Sequence, residues 1–447
     1  MMLGRIRNQL LYISFLTVAS PISFFSPISY NRKITLFPVL AIIYAFALAR
    51  LSWRFTISQR ILIAFIAINT LYLGYSLIAF PAQSLGDSFL MKSYLTQVFP
   101  SLLYLVLPGF VNLKTVRFEK LVKSFSIGLI PITVILLIIA FFTSSTDLLE
   151  SRHDFYKLAI ESSSSVERDP NNNPSSLIFN LFYFYGGTPT MGPLVALSTS
   201  FLLPSIFVIK NKLVKGILLL FSVFLCIGVV SSASRSAAIG LLLGTSTALV
   251  AWCLKSMSIQ AFLSRRFKFI YAIFSWAIVT AVFAVSLIFF LDIDFSLSSF
   301  YSGDFFASGR TELWAKSFHS FDFSLFGNGY LYLPYQAKIL GGTDLPSDNL
   351  HNFYLTTLFE TGLLGLLVYF LFLCSHLYLL IRLMNSRDIS NLYPVTLGCF
   401  AAFVCSTFNL IMDTNILRFE ATYSSVYWLL TSVPLLILGI QGFNAQK

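Results

Sequence analysis

The sequence predicts an all-α, polytopic integral membrane protein of about 12 transmembrane helices, and three observations carry that prediction. Of 447 residues, 56% are hydrophobic and only 11% are charged, against roughly 45–50% and 25% in soluble domains. Apolar runs of about 20 residues, the length a helix needs to cross a bilayer, recur along the chain. Short basic clusters separate these runs and fall on one side of the resulting topology. Forty-seven phenylalanines and a mean hydropathy of +0.79 leave more apolar surface than water-soluble domains bury, which excludes a soluble enzyme. The formal charge of +11 then speaks of topology and not of nucleic acid.

The chain reads as a single membrane domain, 1–447. Its first apolar run, 9–29, follows Arg5 and Arg7 as a signal peptide would, but it is long and lacks a small-residue cleavage site before Tyr30. It is therefore expected to be a retained helix. Spans follow at 34–49, 61–80, 94–112 and 122–143. A polar stretch at 144–178, with Ser162 to Ser165 and Asn171-Asn172-Asn173-Pro174, forms the first long outside loop. Next come spans at 187–209, 216–232, 235–254 and 269–291. The stretch from Gly216 to Trp252 is uncharged apart from Arg235. As one helix it would be about 55 Å long, against a hydrocarbon core of about 30 Å, so it must be a hairpin turning at Ser231 to Ser236. A large outside loop with short helices, 292–361, precedes the last spans at 362–381, 391–412 and 421–440.

With a cytoplasmic N-terminus, the inside segments collect nineteen of the thirty basic residues and only two acids, Glu119 and Asp388. This asymmetry also puts the C-terminus inside and both long loops outside. Long loops on one face are where work on an extracytoplasmic substrate is done. The inside connections contain no Gly-x4-Gly-Lys-Ser/Thr phosphate loop, which argues against an ATP-driven pump. Mid-span acids and paired broken helices are missing too, which weighs against a secondary transporter. The five cysteines lie in apolar stretches without Cys-x-x-Cys spacing and read as small buried packing residues.

Some charges are not explained by topology. Arg235 sits among small hydroxyls at the outer edge of the hairpin. It is either an arginine snorkelling to the interface or an anion site, where a guanidinium and a helix N-terminus meet phosphate oxygens. His351 opens a run that reaches Gly362 and Gly365. Projected on one continuous helix, both glycines fall within about 20–40° of His351, whereas Glu360 points to the opposite side. Glycines there would let a neighbouring helix approach the histidine; the alternative is an interfacial histidine with ordinary packing glycines. Arg310, in Gly309-Arg310-Thr311-Glu312-Leu313-Trp314, opens an expected short helix at 313–320 that ends at Gly327-Asn328-Gly329-Tyr330. Arg310 and Glu312 could equally be a solvated pair. Arg418 and Glu420 lie in the loop before the last span. His376 reads as a packing residue within a span, and His153 and His319 as isolated loop residues.

Four motifs in this order, Ser232-x-Ser234-Arg235, Gly309-Arg310-x3-Trp314, Gly327-x-Gly329-Tyr330 and His351-Asn352-x9-Gly362-x2-Gly365, resemble the O-antigen polymerase and ligase superfamily. The resemblance covers about 190–380. It implies a GT-C-like glycosyltransferase of the bacterial inner membrane, with about twelve helices and a large periplasmic loop between helices 9 and 10. The implied donor is an undecaprenyl-pyrophosphate-linked oligosaccharide; a chain-length regulator protein is an implied partner, nucleic acid is not. No cofactor is expected, and since no Asp-x-Asp or paired carboxylate accompanies these motifs, no metal either. The roles implied are a pyrophosphate clamp for Arg235 and Arg310, a general base or acceptor-positioning group for His351 oriented by Asn352, and substrate contacts for Asn352, Tyr330 and Arg418. The segment Gly186-Gly187-Thr188-Pro189 lacks the Arg-x-Thr/Ser-Gly-x4-Pro-Asn pattern of ligases. Polymerase is therefore the closer reading, with ligase second and a polysaccharide flippase third.

Overall fold

A computed structural model describes residues 2–18, 55–79, 98, 101–105, 107, 108, 116–134, 188–231, 235–256, 314, 317, 325–329, 350–386, 390–412 and 421–440. The expected spans at 34–49 and 269–291, the 144–178 loop, and the side chains of Arg235, Arg310, Tyr330 and Arg418 lie outside the described residues. Among the described residues the structure is helical, without strands.

Nine helices carry the fold among these residues: α1 Met2–Val18, α2 Ile57–Ala79, α3 Phe118–Gly128, α4 Thr188–Ser205, α5 Lys212–Ser231, α6 Arg235–Ser256, α7 Phe353–Asn385, α8 Tyr393–Met412 and α9 Ala421–Ile440. From α4 onward most boundaries fall within a few residues of the runs read from hydropathy. The break between α5 and α6 coincides with the expected hairpin turn. Five of the helices are long and apolar enough to cross a membrane, and the chain is membrane-embedded on that ground. Their outward faces agree: Leu71, Ile78 and Leu213 are each more than 70% exposed, as suits side chains whose solvent is lipid.

Local chemistry marks the helix ends. Asn211 caps α5, its Oδ1 accepting from the backbone N of Leu213 at 2.9 Å and of Val214 at 3.2 Å. Pro131, which lacks an N–H, follows a turn at Leu129 before helix resumes at 130–134. Pro204 comes just before α4 tightens into a 3₁₀ turn, Ile206–Val208.

The centre of the bundle is α4, α6 and α8, held together by small residues. A Cβ on Gly244 would lie 2.4 Å from the carbonyl of Ala401, one on Gly240 2.5 Å from Asn409 Oδ1, and one on Gly398 2.4 Å from the carbonyl of Phe201. Without glycine at these positions the backbones could not approach so closely. Since lipid is as apolar as leucine, such close packing is the main force joining helices in a bilayer. The order of these contacts makes α8 antiparallel to both α4 and α6.

A second cluster joins α2, 101–105, α7 and α9. Ser58 Oγ and Tyr104 OH are 2.8 Å apart, and Tyr104 OH lies 3.1 Å from His376 Nδ1. His376 is 1% exposed among Phe372, Phe403 and Tyr104 rings, so it packs within a span as expected. One expectation fails here. Cys399 and Cys405 are buried and none of the five forms a disulfide, but Cys374 is exposed and Cys226 and Cys253 are half-buried. Cys374 lies on the outward face of α7, where lipid tolerates a small apolar thiol as readily as the core does.

Candidate functional site

The histidine motif begins with a helix cap. Asn352 is extended (φ −148°, ψ 111°) and its side chain accepts from the backbone N of Leu355 at 3.0 Å, the N-cap geometry that satisfies one orphan donor. Helix starts at Phe353, so His351 lies outside it. His351 itself is half-buried with φ +47°, a backbone region uncommon for residues other than glycine.

The helix does not run straight on. Gly362 has φ +70° and ψ −172°, which divides α7 into a short arm, 353–361, and a long one, 363–385. The short arm folds back. The ring centroids of Phe353 and Tyr369 are 4.6 Å apart, and Tyr354 stacks on Phe370 at 5.5 Å with 7° between planes. In one straight helix residues 353 and 369 would be about 24 Å apart. The expected common face for His351, Gly362 and Gly365 is thereby overturned, because the projection assumed an unbroken helix. His351 instead lies at the free end of the short arm, two residues before Phe353, whose ring packs on Tyr369. Glu360, expected to face away from any site, is 2% exposed.

A helix broken this way loses its i→i−4 hydrogen bonds at the vertex. The segment Leu325–Gly329 replaces them. Asn328 N donates to the carbonyl of Phe359 at 2.9 Å, Gly329 N to that of Glu360 at 3.0 Å, and Leu364 N to that of Leu325 at 3.2 Å; Asn328 Nδ2 adds a bond to Phe359 O at 3.2 Å. Gly327 and Gly329 take φ +61° and +115°, so the expected tight turn serves to splice the hairpin. Tyr72 of α2 holds the segment from behind, its hydroxyl donating to the carbonyl of Phe326.

Other elements converge on the same region. Trp314 is helical and its Nε1 donates to the carbonyl of Leu350 at 2.7 Å, which brings the end of the Gly309–Trp314 motif next to His351. Tyr354 OH donates to the carbonyl of Thr407 on α8 at 3.1 Å. Two residues farther along α8, Asn409 lies against Gly240, five residues into α6 from Arg235. The helix opened by Arg235 and the hairpin bearing His351 are thus joined through the same stretch of α8. At the opposite end Lys255 Nζ donates to the carbonyl of Met384 and lies 3.9 Å from the Tyr393 ring centroid. Hence α6 and the long arm run parallel and begin at the same end. Arg235 heads α6 there, where the helix dipole favours an anion. Among the described residues no group of three or more His, Cys, Asp or Glu side chains is placed to hold a metal ion.

Thr356, Thr357 and Glu360, all on the short arm, are nearly inaccessible.

Residues 220–370 match the family model described as O-Antigen ligase. The match includes the α5–α6 turn with Arg235, the Gly309–Trp314 and Gly327–Tyr330 motifs, and the short arm with His351. It agrees with the resemblance carried by the four motifs. No curated protein matches the chain.

Proposed function

We propose that this chain, whose residues 220–370 match the family model described as O-Antigen ligase, is a polymerase of surface polysaccharide. It transfers a glycan chain from undecaprenyl pyrophosphate onto another lipid-linked repeat unit at the periplasmic face of the inner membrane. The family match over both the head of α6 and the histidine arm, which are linked through Thr407 to Asn409 of α8, supports glycosyl transfer; the preference for a polymerase rests on Gly186-Gly187-Thr188-Pro189, which lacks the ligase pattern.

The chemistry asked of the site is modest, because the donor is already activated. The acceptor hydroxyl oxygen attacks the anomeric carbon, the bond from that carbon to the pyrophosphate oxygen breaks, and undecaprenyl pyrophosphate leaves. His351 takes the hydroxyl proton, while Arg235 and Arg310 stabilise the charge growing on the leaving group. Asn352 acts through backbone geometry: capping the short arm sets the turn that carries His351. Tyr330, directly after the splice residue Gly329, and Arg418 bind the glycan or its pyrophosphate.

A second reading is supported by the description of the matched family itself, a ligase that moves the finished chain onto lipid A-core. The glycan profile of a deletion strain separates the two. Cores capped by a single repeat unit indicate a polymerase, and uncapped cores with long polymer left on the carrier lipid indicate a ligase. Accumulation of inward-facing lipid-linked units would instead sink both in favour of a flippase.

A further inference from the structure

We infer that Trp314 is a positioning residue for His351: its indole N–H holds the peptide that precedes the histidine and so aims the imidazole at the acceptor hydroxyl; this rests on the role of proton acceptor proposed for His351 above. Trp314 closes the Gly309–Trp314 motif. It is helical and half-buried, and its Nε1 donates to the carbonyl of Leu350 at 2.7 Å.

Peptide geometry makes that bond consequential. The carbonyl of Leu350 and the amide N of His351 belong to one planar unit, so fixing the carbonyl fixes the plane from which the φ of His351 turns. That φ is +47°, a left-handed value that residues with a Cβ rarely adopt and keep only where their surroundings impose it; such residues cluster at functional sites. Both flanks of His351 are held. Leu350 before it is 1% exposed, which leaves its carbonyl dependent on a protein partner, and Trp314 supplies one. Asn352 after it is fixed by the cap: its side chain accepts from Leu355 N at 3.0 Å and its carbonyl from Thr356 N at 2.9 Å. Phe353, next in line, is fully buried against Tyr369. The histidine is therefore carried between two anchors, the short arm on one side and an indole from the preceding loop on the other.

Tryptophan suits this task. Its indole is a donor only, and the rigid ring presents that donor with just two side-chain torsions to fix. Only three residues separate Trp314 in sequence from Arg310, to which the clamp on the leaving pyrophosphate is assigned. The stretch of chain that carries the clamp therefore also holds the turn that carries the base. Leu325–Gly329 pins the vertex end of the same arm, so the arm is fastened at both ends by the chain that precedes it, with Trp314 at the histidine end. Proton transfer needs the base within hydrogen-bond reach of the hydroxyl, and a misplacement of about 1 Å can cost roughly a hundredfold in rate. Loosening the Leu350–His351 peptide should thus be felt in turnover and not in substrate binding.

The test uses the full-length protein in proteoliposomes supplied with undecaprenyl-pyrophosphate-linked repeat units over a range of concentrations. Trp314→Phe keeps an aromatic ring and removes the N–H. Turnover at saturation should fall about tenfold or more, with KM within about threefold of wild type and an unchanged melting temperature. A second readout needs no activity. Reaction of His351 with diethyl pyrocarbonate, followed by mass spectrometry, should speed up severalfold, while His376, buried in a span, should stay unlabelled. Unchanged turnover, or unchanged labelling of His351, would overturn the inference. So would a lower melting temperature with His376 labelled too, the mark of a merely structural residue. If Trp314→Phe does not accumulate, the benzothienyl analogue of tryptophan at this position, which keeps the bicyclic shape and lacks only the N–H, decides. His351→Ala with full turnover, or wild-type protein that extends no lipid-linked unit, would instead defeat the proposed chemistry, and the labelling rate would still decide whether Trp314 holds the histidine.

Discussion

Gly327 and Gly362 meet backbone to backbone: a Cβ on Gly327 would lie 2.3 Å from the amide N of Gly362, and one on Gly362 would lie 2.4 Å from the amide N of Gly327. Both residues also have positive φ. Steric room and conformation therefore demand glycine twice over, once on the outer segment and once at the vertex of the hairpin. The contact is what lets the segment's N–H groups reach the carbonyls of Phe359 and Glu360.

Either Gly327→Ala or Gly362→Ala should separate the segment from the hairpin. The left-handed backbone alone costs roughly 1–2 kcal/mol in a residue with a Cβ, and the neighbouring backbone atoms cannot swing aside. We expect a fall in the melting temperature of the detergent-solubilised protein together with loss of activity. Wild-type stability in both variants would show that the splice is dispensable.

The cap at Asn352 should be separable from the base proposed at His351. Asn352→Ala should cost about 1 kcal/mol of arm stability and reduce activity in part, while Asn352→Asp, which keeps a capping oxygen, should retain most of it. His351→Ala should abolish transfer at normal protein abundance. Gel profiles of polymer length, measured against protein level in the membrane, distinguish these outcomes; full activity in His351→Ala removes it from catalysis.

Helix packing makes a contrast among glycines. Gly244→Val and Gly398→Val place side-chain atoms against the carbonyls of Ala401 and Phe201 and should lower thermal stability strongly or prevent accumulation. Gly74→Ala and Gly216→Ala meet nothing within 4 Å, so both should be neutral or stabilising by up to about 1 kcal/mol. Equal effects across the two pairs would contradict close approach of α4, α6 and α8.

Tyr104→Phe removes the hydroxyl that lies between Ser58 and His376. Leaving buried polar groups without that partner should cost about 1–3 kcal/mol, seen as a lower melting temperature. Catalytic constants of the surviving protein should stay near wild type, because the Tyr104 hydroxyl is engaged with Ser58 and His376, which hold α2 to the long arm. A large drop in turnover without a stability change would place Tyr104 in the chemistry.

The sequence by itself located most of the helices from α4 onward and the point where α5 must turn into α6, because hydropathy and charge act locally: a helix satisfies its own backbone, and a bilayer sets its length. Through a family resemblance it also singled out the motifs containing Arg235, Trp314, Gly327, His351 and Gly362. What only the tertiary structure decided is the direction of the chain after His351. A helical projection presumes that each carbonyl is bonded four residues on, and at Gly362 that presumption fails. The bonds that replace the missing ones come from Leu325–Gly329, some thirty residues upstream, and no local pattern announces a partner so distant. The fold-back packs Phe353, two residues after His351, on Tyr369 of the long arm. A site that looked like one stripe on one helix is a hairpin held by a loop.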